Sequence, residues 1–284
     1  MMSTSFHLKL EPHRTIRYSV FSGNQPNETG STASSRGLLI LSHGFKGFKD
    51  WGMFPYAAEQ IAKLAGVDVI TYNFSHNGVG EQLTEFTELD KFARNTPHRQ
   101  LEDLKALISA VHANEGMHSM SRPLFLLGHS WAASMSLIHA LDHPDTVAGV
   151  IAWNGSSHPD IFSEQEKQEM RDHGVAYTLN GRTKQQMPLS VEILQDLEAH
   201  TDQYAIVDRI SQASFPIALI QGTDDFERLR RGSEMLIQQN PRIEWIQIPG
   251  GNHTFTTVHP FQGTTAPLEA AIHATSQFII SHLS

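Results

Sequence analysis

Alternating strand and helix patterns constrain the fold of this chain more than any other feature of its sequence. From residue 37 to residue 153, short apolar runs typical of buried strands are separated by stretches with helical spacing. The clearest helical spacing is that of five apolar residues, Leu101, Leu104, Leu107, Ile108 and Val111. Strands that alternate with helices predict an α/β fold, in which a mostly parallel sheet carries helices on both faces.

The predicted elements follow one another in a regular order. Strands are predicted at residues 37–42, 67–74, 123–127, 147–153, 216–221 and 243–248. Helices are predicted at residues 55–65, 100–113 and 131–141. An antiparallel edge hairpin precedes these elements, because apolar and polar residues alternate on either side of residues 11–15. Small polar residues at 22–35 predict a surface loop.

The alternation of strands and helices is interrupted between residues 156 and 211. We therefore predict a core formed by residues 1–155 and 212–284, with a small lid inserted at 156–211. Long insertions at the carboxyl edge of an α/β sheet commonly shape the ligand crevice, which favours a lid. A surface excursion without a role in binding is the alternative.

The predicted lid consists of a helix, a β-hairpin and a second helix. Ser163 and Glu166 have the spacing of a capping box at the start of the first helix. Asn180 and Gly181 predict a hairpin with a two-residue type I′ turn, because both residue types tolerate positive φ. Ser190 is predicted to cap the second helix.

Residues 128–132 have the sequence Gly-His-Ser-Trp-Ala and lie between a predicted strand and a predicted helix. This is the setting of a nucleophile elbow, a strained turn that exposes a serine side chain. Such a turn needs small residues two positions before and after the serine, as Gly128 and Ala132 are. The pattern predicts that Ser130 is a nucleophile. The match is to a relaxed form of the motif, because Ala132 stands where a second glycine is more common. A serine in an ordinary polar turn is the alternative.

A serine nucleophile needs a histidine to accept its proton and a carboxylate to orient that histidine. Asp224 and Asp225 follow the strand predicted at 216–221, and His253 lies in a glycine-rich loop after the strand predicted at 243–248. The three residue types therefore occur in the order serine, aspartate, histidine, which is their order in α/β-hydrolases.

Over nearly its whole length the chain resembles the α/β-hydrolase superfamily. It is most similar to small-lid carboxylesterases, such as cinnamoyl or feruloyl esterases, and to dienelactone-hydrolase-like proteins. The resemblance implies that Ser130 is the nucleophile, His253 the general base and Asp225 the acid. The acid of the family usually lies three residues after a loop glycine, which is Gly222 in this chain. Asp224 is the alternative acid, although a turn-forming role suits it better.

Ester hydrolysis also needs two backbone N–H groups that stabilise the oxyanion. Trp131 is predicted to supply one of them because it directly follows the nucleophile. The loop after the strand at 37–42 is similar to the family's His-Gly-Phe loop, which implies that Phe45 supplies the other. The resemblance also implies that His43 braces this loop. A role for His43 as a second base is the alternative.

Two aromatic residues are predicted to contact the substrate. Trp153 ends the strand before the lid, and Tyr177 lies on the predicted lid hairpin. Packing in the core is the alternative for Trp153, as it is for Phe45, Trp131 and Trp51, which are further aromatic candidates for an apolar pocket. The 17 histidines form no His-Glu-x-x-His motif and no compact ligand pattern along the sequence, so we expect neither a metal nor a cofactor.

Composition excludes several classes of protein. The chain has 21 Lys and Arg against 30 Asp and Glu and no basic block, so we expect no nucleic-acid partner. Cysteine is absent, which excludes disulfides, thiolate metal sites and the cysteine nucleophile of dienelactone hydrolases. Residues 1–10 lack a signal-peptide pattern and no apolar run approaches about 18 residues. We expect a cytoplasmic protein without a membrane partner, and the sequence leaves an oligomer open.

The sequence thus predicts a serine esterase that cleaves a small or aryl-acyl ester through an acyl-enzyme intermediate. A small-molecule ester is the expected partner. A peptidase or amidase that uses the same three residues is the alternative function. A non-catalytic binding protein is a further alternative, because a fold does not determine a function.

Overall fold

The computed structural model describes residues 3–11, 14–24, 34–113 and 122–283. Within them, the ten strands are β1 Thr4–Glu11, β2 Arg14–Phe21, β3 Leu38–Ser42, β4 Asp68–Asn73, β5 Leu124–His129, β6 Gly149–Trp153, β7 Val175–Leu179, β8 Gln186–Ser190, β9 Ile217–Gly222 and β10 Glu244–Ile248. The α-helices of the same residues are α1 Phe54–Ala65, α2 Leu89–Ala93, α3 Pro97–Ala113, α4 Trp131–Asp142, α5 Glu164–His173, α6 Glu192–Ala199, α7 Thr201–Tyr204, α8 Ile206–Arg209, α9 Glu227–Gln239 and α10 Ala266–Ser281.

Eight strands form a central sheet in the order β1-β2-β4-β3-β5-β6-β9-β10. β1 and β2 form an antiparallel hairpin at one edge, and β2 is antiparallel to β4. All the other neighbours are parallel. Every residue of β3 is buried, as expected for a parallel strand covered on both faces. The mostly parallel sheet with an edge hairpin is confirmed.

Helices cover both faces of this sheet. On one face, Leu104 of α3 and Met135 of α4 pack into one apolar core, and on the other face Ile61 of α1 and Ile272 of α10 pack into a second. The strands supply both cores because successive side chains of a strand point to opposite faces. The predicted three-layer α/β architecture is therefore confirmed.

Most core elements predicted from the sequence are present, with shifts at their ends. α1 ends at Gly66, whose φ of 65° is left-handed. α3 begins at residue 97 instead of 100, and β5 extends to residue 129 instead of 127. Three helices of the core, α2, α9 and α10, were not predicted, and neither were the short helices α7 and α8. The buried residues of α9, which are Leu229, Gly232, Ser233 and Leu236, have helical spacing, but two of the four are small residues, so a search for apolar periodicity did not reveal this helix.

Two predicted connections fall partly outside the described residues. They are the hairpin connection at 11–15, of which residues 12 and 13 are not described, and the surface loop at 22–35, of which residues 25–33 are not described. In the described part of the chain, no helix is both long enough and apolar enough to cross a membrane.

Residues 156–211, called the lid segment below, contain α5, the β7-β8 hairpin and α6 to α8. The predicted capping box is confirmed, because Ser163 Oγ accepts a hydrogen bond from Glu166 N at 3.2 Å and Ser163 N donates to Glu166 Oε2 at 2.8 Å. α6 begins after Val191, one residue later than predicted, and Ser190 Oγ accepts from Glu192 N at 3.3 Å.

The predicted two-residue turn of the lid hairpin is wrong. β7 and β8 are joined by the six residues 180–185. Neither Asn180 nor Gly181 has φ in the left-handed region, which a type I′ turn requires of both central residues. Asn180 Oδ1 instead accepts hydrogen bonds from the N–H groups of Arg182 at 3.0 Å and Thr183 at 3.3 Å. The Asn180 side chain therefore stabilises a longer loop.

An apolar cluster joins the lid segment to the core. Met170 of α5, Met187 of β8 and Ile193 of α6 are buried together with Phe92 and Trp131. Burial of apolar surface contributes about 25 cal/mol per Å², so this cluster holds the lid segment against the sheet. A role of the segment as a lid remains a prediction.

Candidate active site

Four loops meet at the carboxyl ends of β3, β5, β9 and β10. These strands are parallel, so their carboxyl ends lie at the same edge of the sheet. In open α/β sheets, ligands bind at this edge. The predicted nucleophile, acid and base each directly follow one of these strands or lie in the loop after it.

Ser130 lies at a strained turn between β5 and α4. Its φ of 57° and ψ of −121° are unusual for a residue with a side chain. A Cβ on Gly128 would lie 2.3 Å from the carbonyl oxygen of Ala132, so only glycine fits at that position. Ser130 N donates to the oxygen of Trp153 at 2.9 Å, which fixes the turn against β6. This is the geometry that a nucleophile elbow requires.

The structure brings Ser130, His253 and Asp225 into one chain of hydrogen bonds. Nε2 of His253 lies 2.9 Å from Ser130 Oγ, and Nδ1 lies 2.8 Å from Asp225 Oδ1. The second oxygen of Asp225 accepts a hydrogen bond from Gln221 Nε2 at 3.1 Å. Asp225 is buried, whereas Asp224 is exposed and its carboxylate contacts Thr223 Oγ1. Of the two aspartates, only Asp225 contacts the histidine.

The loops that carry Asp225 and His253 touch through two glycines. A Cβ on Gly222 would lie 2.0 Å from the carbonyl oxygen of Gly251. Asp224 N also donates to that oxygen at 2.9 Å. The close backbone approach brings the acid loop and the base loop together, and it requires glycine at position 222.

Asn154, which follows β6, connects these two loops. Its Nδ2 donates to the carbonyl oxygens of Asn252 at 3.1 Å and His253 at 3.0 Å, and its Oδ1 accepts from Gly222 N at 2.8 Å. The side chain is fully buried. Asn154 was not predicted as a site residue, although a polar residue at the carboxyl end of a buried strand is a signal for one.

A second contact fixes the backbone of His253. His129 Nε2 lies 2.9 Å from the carbonyl oxygen of His253, so it carries the proton and donates. Burial lowers the pKa of His129 to about 3, which keeps its ring neutral. His129 and Asn154 therefore both donate to one carbonyl group of the base loop.

His43 is buried in the loop after β3. Its Nδ1 lies 2.9 Å from the carbonyl oxygen of Gly44, and its ring packs edge-on against Phe74. Burial lowers its pKa to about 4. His43 thus contacts the loop that it was expected to brace, and His253, not His43, contacts Ser130.

Both predicted oxyanion donors lie near Ser130. Trp131 is the next residue in the chain, and Phe45 belongs to a loop that approaches Ser130 in space. A Cβ on Gly44 would lie 2.9 Å from Ser130 Cβ, so the loop that carries Phe45 passes close to the nucleophile. Trp131 N is the first amide of α4. Neither the Phe45 nor the Trp131 amide donates to another group within the described ranges. Both amides therefore remain free to bind a ligand oxygen.

A cavity of about 140 Å³ opens beside Ser130 and His253. Its apolar lining comes from Phe45, Trp51 and Phe54, of which Phe54 was not predicted to contact a substrate. Lys46 also lines the cavity and donates from Nζ to the carbonyl oxygen of Leu179 in the lid hairpin at 3.0 Å. Burial lowers the pKa of Lys46.

The structure does not bring Trp153 or Tyr177 to the lining of this cavity. Trp153 is fully buried on the α10 side of the sheet, and its indole N–H donates to Thr275 Oγ1 at 2.8 Å. Its side chain points away from the site because the alternation along β6 directs it into the core. Tyr177 is 56% exposed on β7.

One cluster of side chains suited to a metal occurs in the described part of the chain. It consists of His98, Asp196 and His200, and it lies outside the cavity at Ser130. The sequence showed no such cluster, because His98 lies 98 residues before Asp196 in the chain.

Solved structures share this fold at low sequence identity. Est1E from Butyrivibrio proteoclasticus, solved with ferulic acid bound, has a TM-score of 0.71 and 16% identity, with 98% of each chain covered. A monoacylglycerol lipase from Paleococcus ferrophilus has a TM-score of 0.67 and 15% identity, covering 94% of this chain and 99% of its own. Mouse alpha/beta hydrolase domain-containing protein 10 has a TM-score of 0.67 and 16% identity, covering 98% of this chain and 99% of its own.

No protein-family model matches the sequence, and no curated protein matches it. The structural likeness nevertheless extends over almost the whole chain, including the lid segment. The chain therefore has the α/β-hydrolase fold, as its sequence predicted.

Proposed function

We propose that this protein is a serine hydrolase that cleaves carboxylic esters through an acyl-enzyme intermediate. The observation that carries the proposal is the hydrogen-bond chain from Ser130 through His253 to Asp225. Its distances are those of ordinary hydrogen bonds, and each residue type suits its role. The strained backbone at Ser130 supports the same role, because strain of this kind is concentrated at functional sites.

In the proposed mechanism, Ser130 Oγ attacks the ester carbonyl carbon while His253 Nε2 accepts its proton. The N–H groups of Phe45 and Trp131 bind the oxyanion that forms. His253 then protonates the departing alkoxide, which leaves an acyl group on Ser130. A water molecule attacks this acyl group as His253 accepts a proton from the water. Release of the carboxylic acid and return of the proton to Ser130 restore the site.

The cavity supports a small apolar acyl group as the substrate. Its volume of about 140 Å³ is below the roughly 300–1,000 Å³ of pockets that enclose drug-sized ligands. Its aromatic walls favour an apolar acyl chain. An aryl-acyl ester is the second candidate, supported by the aromatic lining and by the ferulic acid bound to Est1E, which has the same fold.

A panel of p-nitrophenyl esters and one matched anilide tests the proposal. We expect hydrolysis of the acetate and butyrate, slower hydrolysis of the cinnamate, and little cleavage of the acetyl anilide. Ser130→Ala should reduce ester hydrolysis by about 10⁴-fold or more while the protein remains folded. Faster cleavage of the anilide than of the ester would instead favour an amidase.

A fluorophosphonate probe tests the nucleophile independently of the substrate. We expect one label on the parent protein and none on Ser130→Ala. Ser134→Ala is the matched control, because Ser134 lies one turn further along α4 and bonds only to the backbone oxygen of Trp131. Labelling of Ser130→Ala at the parent rate would refute the assignment.

A further inference from the structure

A cluster of potential metal ligands lies where the lid segment meets the core. His98 is in the first turn of α3, Asp196 is in α6, and His200 directly follows α6. One candidate ligand atom from each side chain lies within 4.8 Å of the other two. The cluster thus joins one residue of the core to two residues of the lid segment.

The residue types and their spacing suit a transition metal. Asp196 and His200 are four residues apart, which places them on one face of the helical turn. The imidazole rings of His98 and His200 stack with their centroids 4.7 Å apart and an angle of 12° between their planes. Two imidazoles and one carboxylate form a common ligand set for Zn²⁺ and related ions.

The ligand atoms are near, but not at, the spacing of a bound ion. Zinc binds nitrogen and oxygen at about 2.0–2.2 Å, so ligand atoms of a tetrahedral site lie about 3.4 Å apart. The ligand atoms, which lie within 4.8 Å of one another, must therefore approach by up to about 1.4 Å, and the stacked His98 and His200 rings must turn so that both face the ion. The His98 side chain is 47% exposed, so it can rotate without disturbing the core.

Neighbouring groups already orient two of the three side chains. Asp196 Oδ2 accepts hydrogen bonds from Tyr204 OH at 2.9 Å and from His98 N at 3.2 Å. His200 Nδ1 lies 2.9 Å from the backbone oxygen of Asp196 and 3.2 Å from its Oδ1. Hydrogen bonds of this kind commonly fix the ligands around protein metal sites. Glu102 Oε1, 3.8 Å from His98 Nε2, is a further oxygen donor at the cluster.

We propose that His98, Asp196 and His200 bind a divalent transition metal, with Zn²⁺ as the representative ion. The ion would connect α3 to the lid segment and stabilise their contact. It would take no part in the chemistry at Ser130, because none of the three residues lines that cavity. The proposal is independent of the proposed esterase function.

Zinc binding to the untagged full-length protein tests this site. After treatment with EDTA and removal of the chelator, calorimetric titration with Zn²⁺ alone should show one saturable site per chain. His98→Gln and His200→Gln should each weaken binding by about tenfold or more. Zn²⁺ should also raise the melting temperature of the parent protein more than that of either variant.

A matched control distinguishes this site from adventitious binding to other histidines. His139 and His143 have ring centroids 5.0 Å apart but belong to no three-ligand cluster in the described residues. The double variant His139→Gln, His143→Gln should bind Zn²⁺ as the parent does. The absence of saturable binding by the parent would overturn the proposal. Binding that both His98→Gln and His200→Gln leave unchanged would overturn it as well, and circular dichroism establishes that these variants are folded.

Discussion

The loops around Ser130 and the lid segment are attached to the sheet in different ways. The loops are fixed by buried backbone contacts, such as the approach of Gly222 to Gly251 and the bonds of Asn154 to both the acid and base loops. The lid segment reaches the core through long side chains, such as Arg99 to Glu192 at 2.9 Å and Lys46 to the backbone of residue 179.

The apolar residues that surround the two regions also differ in flexibility. Ser130 follows a strand that is buried along its whole length, whereas the cluster beneath the lid segment includes Met170 and Met187. Methionine adapts to irregular spaces because its side chain is unbranched and flexible. The comparison indicates that the loops around Ser130, called the rigid region below, are held by buried backbone contacts, whereas the lid segment is held mainly by contacts between side chains.

After the loss of Ser130 itself, the largest expected effect is in the rigid region, at the acid. Asp225→Asn should reduce kcat for a p-nitrophenyl ester by about 10²- to 10⁴-fold, because an amide no longer holds the required tautomer of His253. Asp224→Asn is the matched control and should change kcat by less than about threefold, since its carboxylate is exposed. Equal losses in the two variants would show that the acid is not uniquely Asp225.

Acid should weaken the rigid region through its buried histidines. Burial lowers the pKa of His43 to about 4 and that of His129 to about 3, below the unfolded value of about 6.5. The unfolded chain therefore binds more protons, so this stability is fully present above pH 6.5 and is lost as pH falls toward 4. Each histidine should contribute a slope of up to about 1.4 kcal/mol per pH unit.

Denaturant unfolding between pH 7 and pH 4 measures that slope. His43→Gln should make the free energy of unfolding less dependent on pH, whatever its effect on stability at pH 7. His173→Gln, which changes an exposed residue of α5 in the lid segment, should leave the slope unchanged. An unchanged slope in His43→Gln would mean that this histidine does not contribute to the acid sensitivity.

Asn154 tests whether the contacts between loops position the base. Asn154→Ala should lower kcat by about 10- to 100-fold with little change in KM, because His253 loses a fixed position but the cavity keeps its lining. Asn240→Ala is the matched control, since Asn240 is also buried and donates to a backbone oxygen, that of Ile210. Equal effects of the two variants on kcat would show a general loss of stability instead of a positioning role.

The smallest effect concerns the backbone of the lid segment. Gly174→Ala should reduce the free energy of unfolding by about 1 kcal/mol, because Gly174 has φ of 76° at the end of α5. Gly181→Ala should stay within about 0.5 kcal/mol, since position 181 is not left-handed and an added Cβ meets nothing within 4 Å. A larger cost at Gly181 than at Gly174 would contradict the observed hairpin geometry.

Local sequence patterns were sufficient for the order of the strands and for the elbow. Short apolar runs identified the strands of the sheet. Glycine is required at position 128 because a Cβ there would collide with the backbone of Ala132 in the same turn. The nearness of the two aspartates to His253 followed from their positions after β9 and β10, since parallel strands end at one edge, but the choice of Asp225 over Asp224 came from the resemblance to α/β-hydrolases. These features depend on neighbours in the chain or on the layout that all α/β sheets share.

Contacts between distant segments were decided only by the tertiary structure. Asn154 contacts the base loop about 100 residues away, Trp153 points into the core because of its register in β6, and His98 meets His200 only where the lid segment folds onto α3. The turn at Asn180 also depended on the register of β7 and β8. The sequence by itself determined the order of the strands, the helices α1, α3 and α4, and the elbow at Ser130, because those follow from local periodicity and backbone sterics. The tertiary structure decided which side chains line the cavity, since that depends on how separate segments pack.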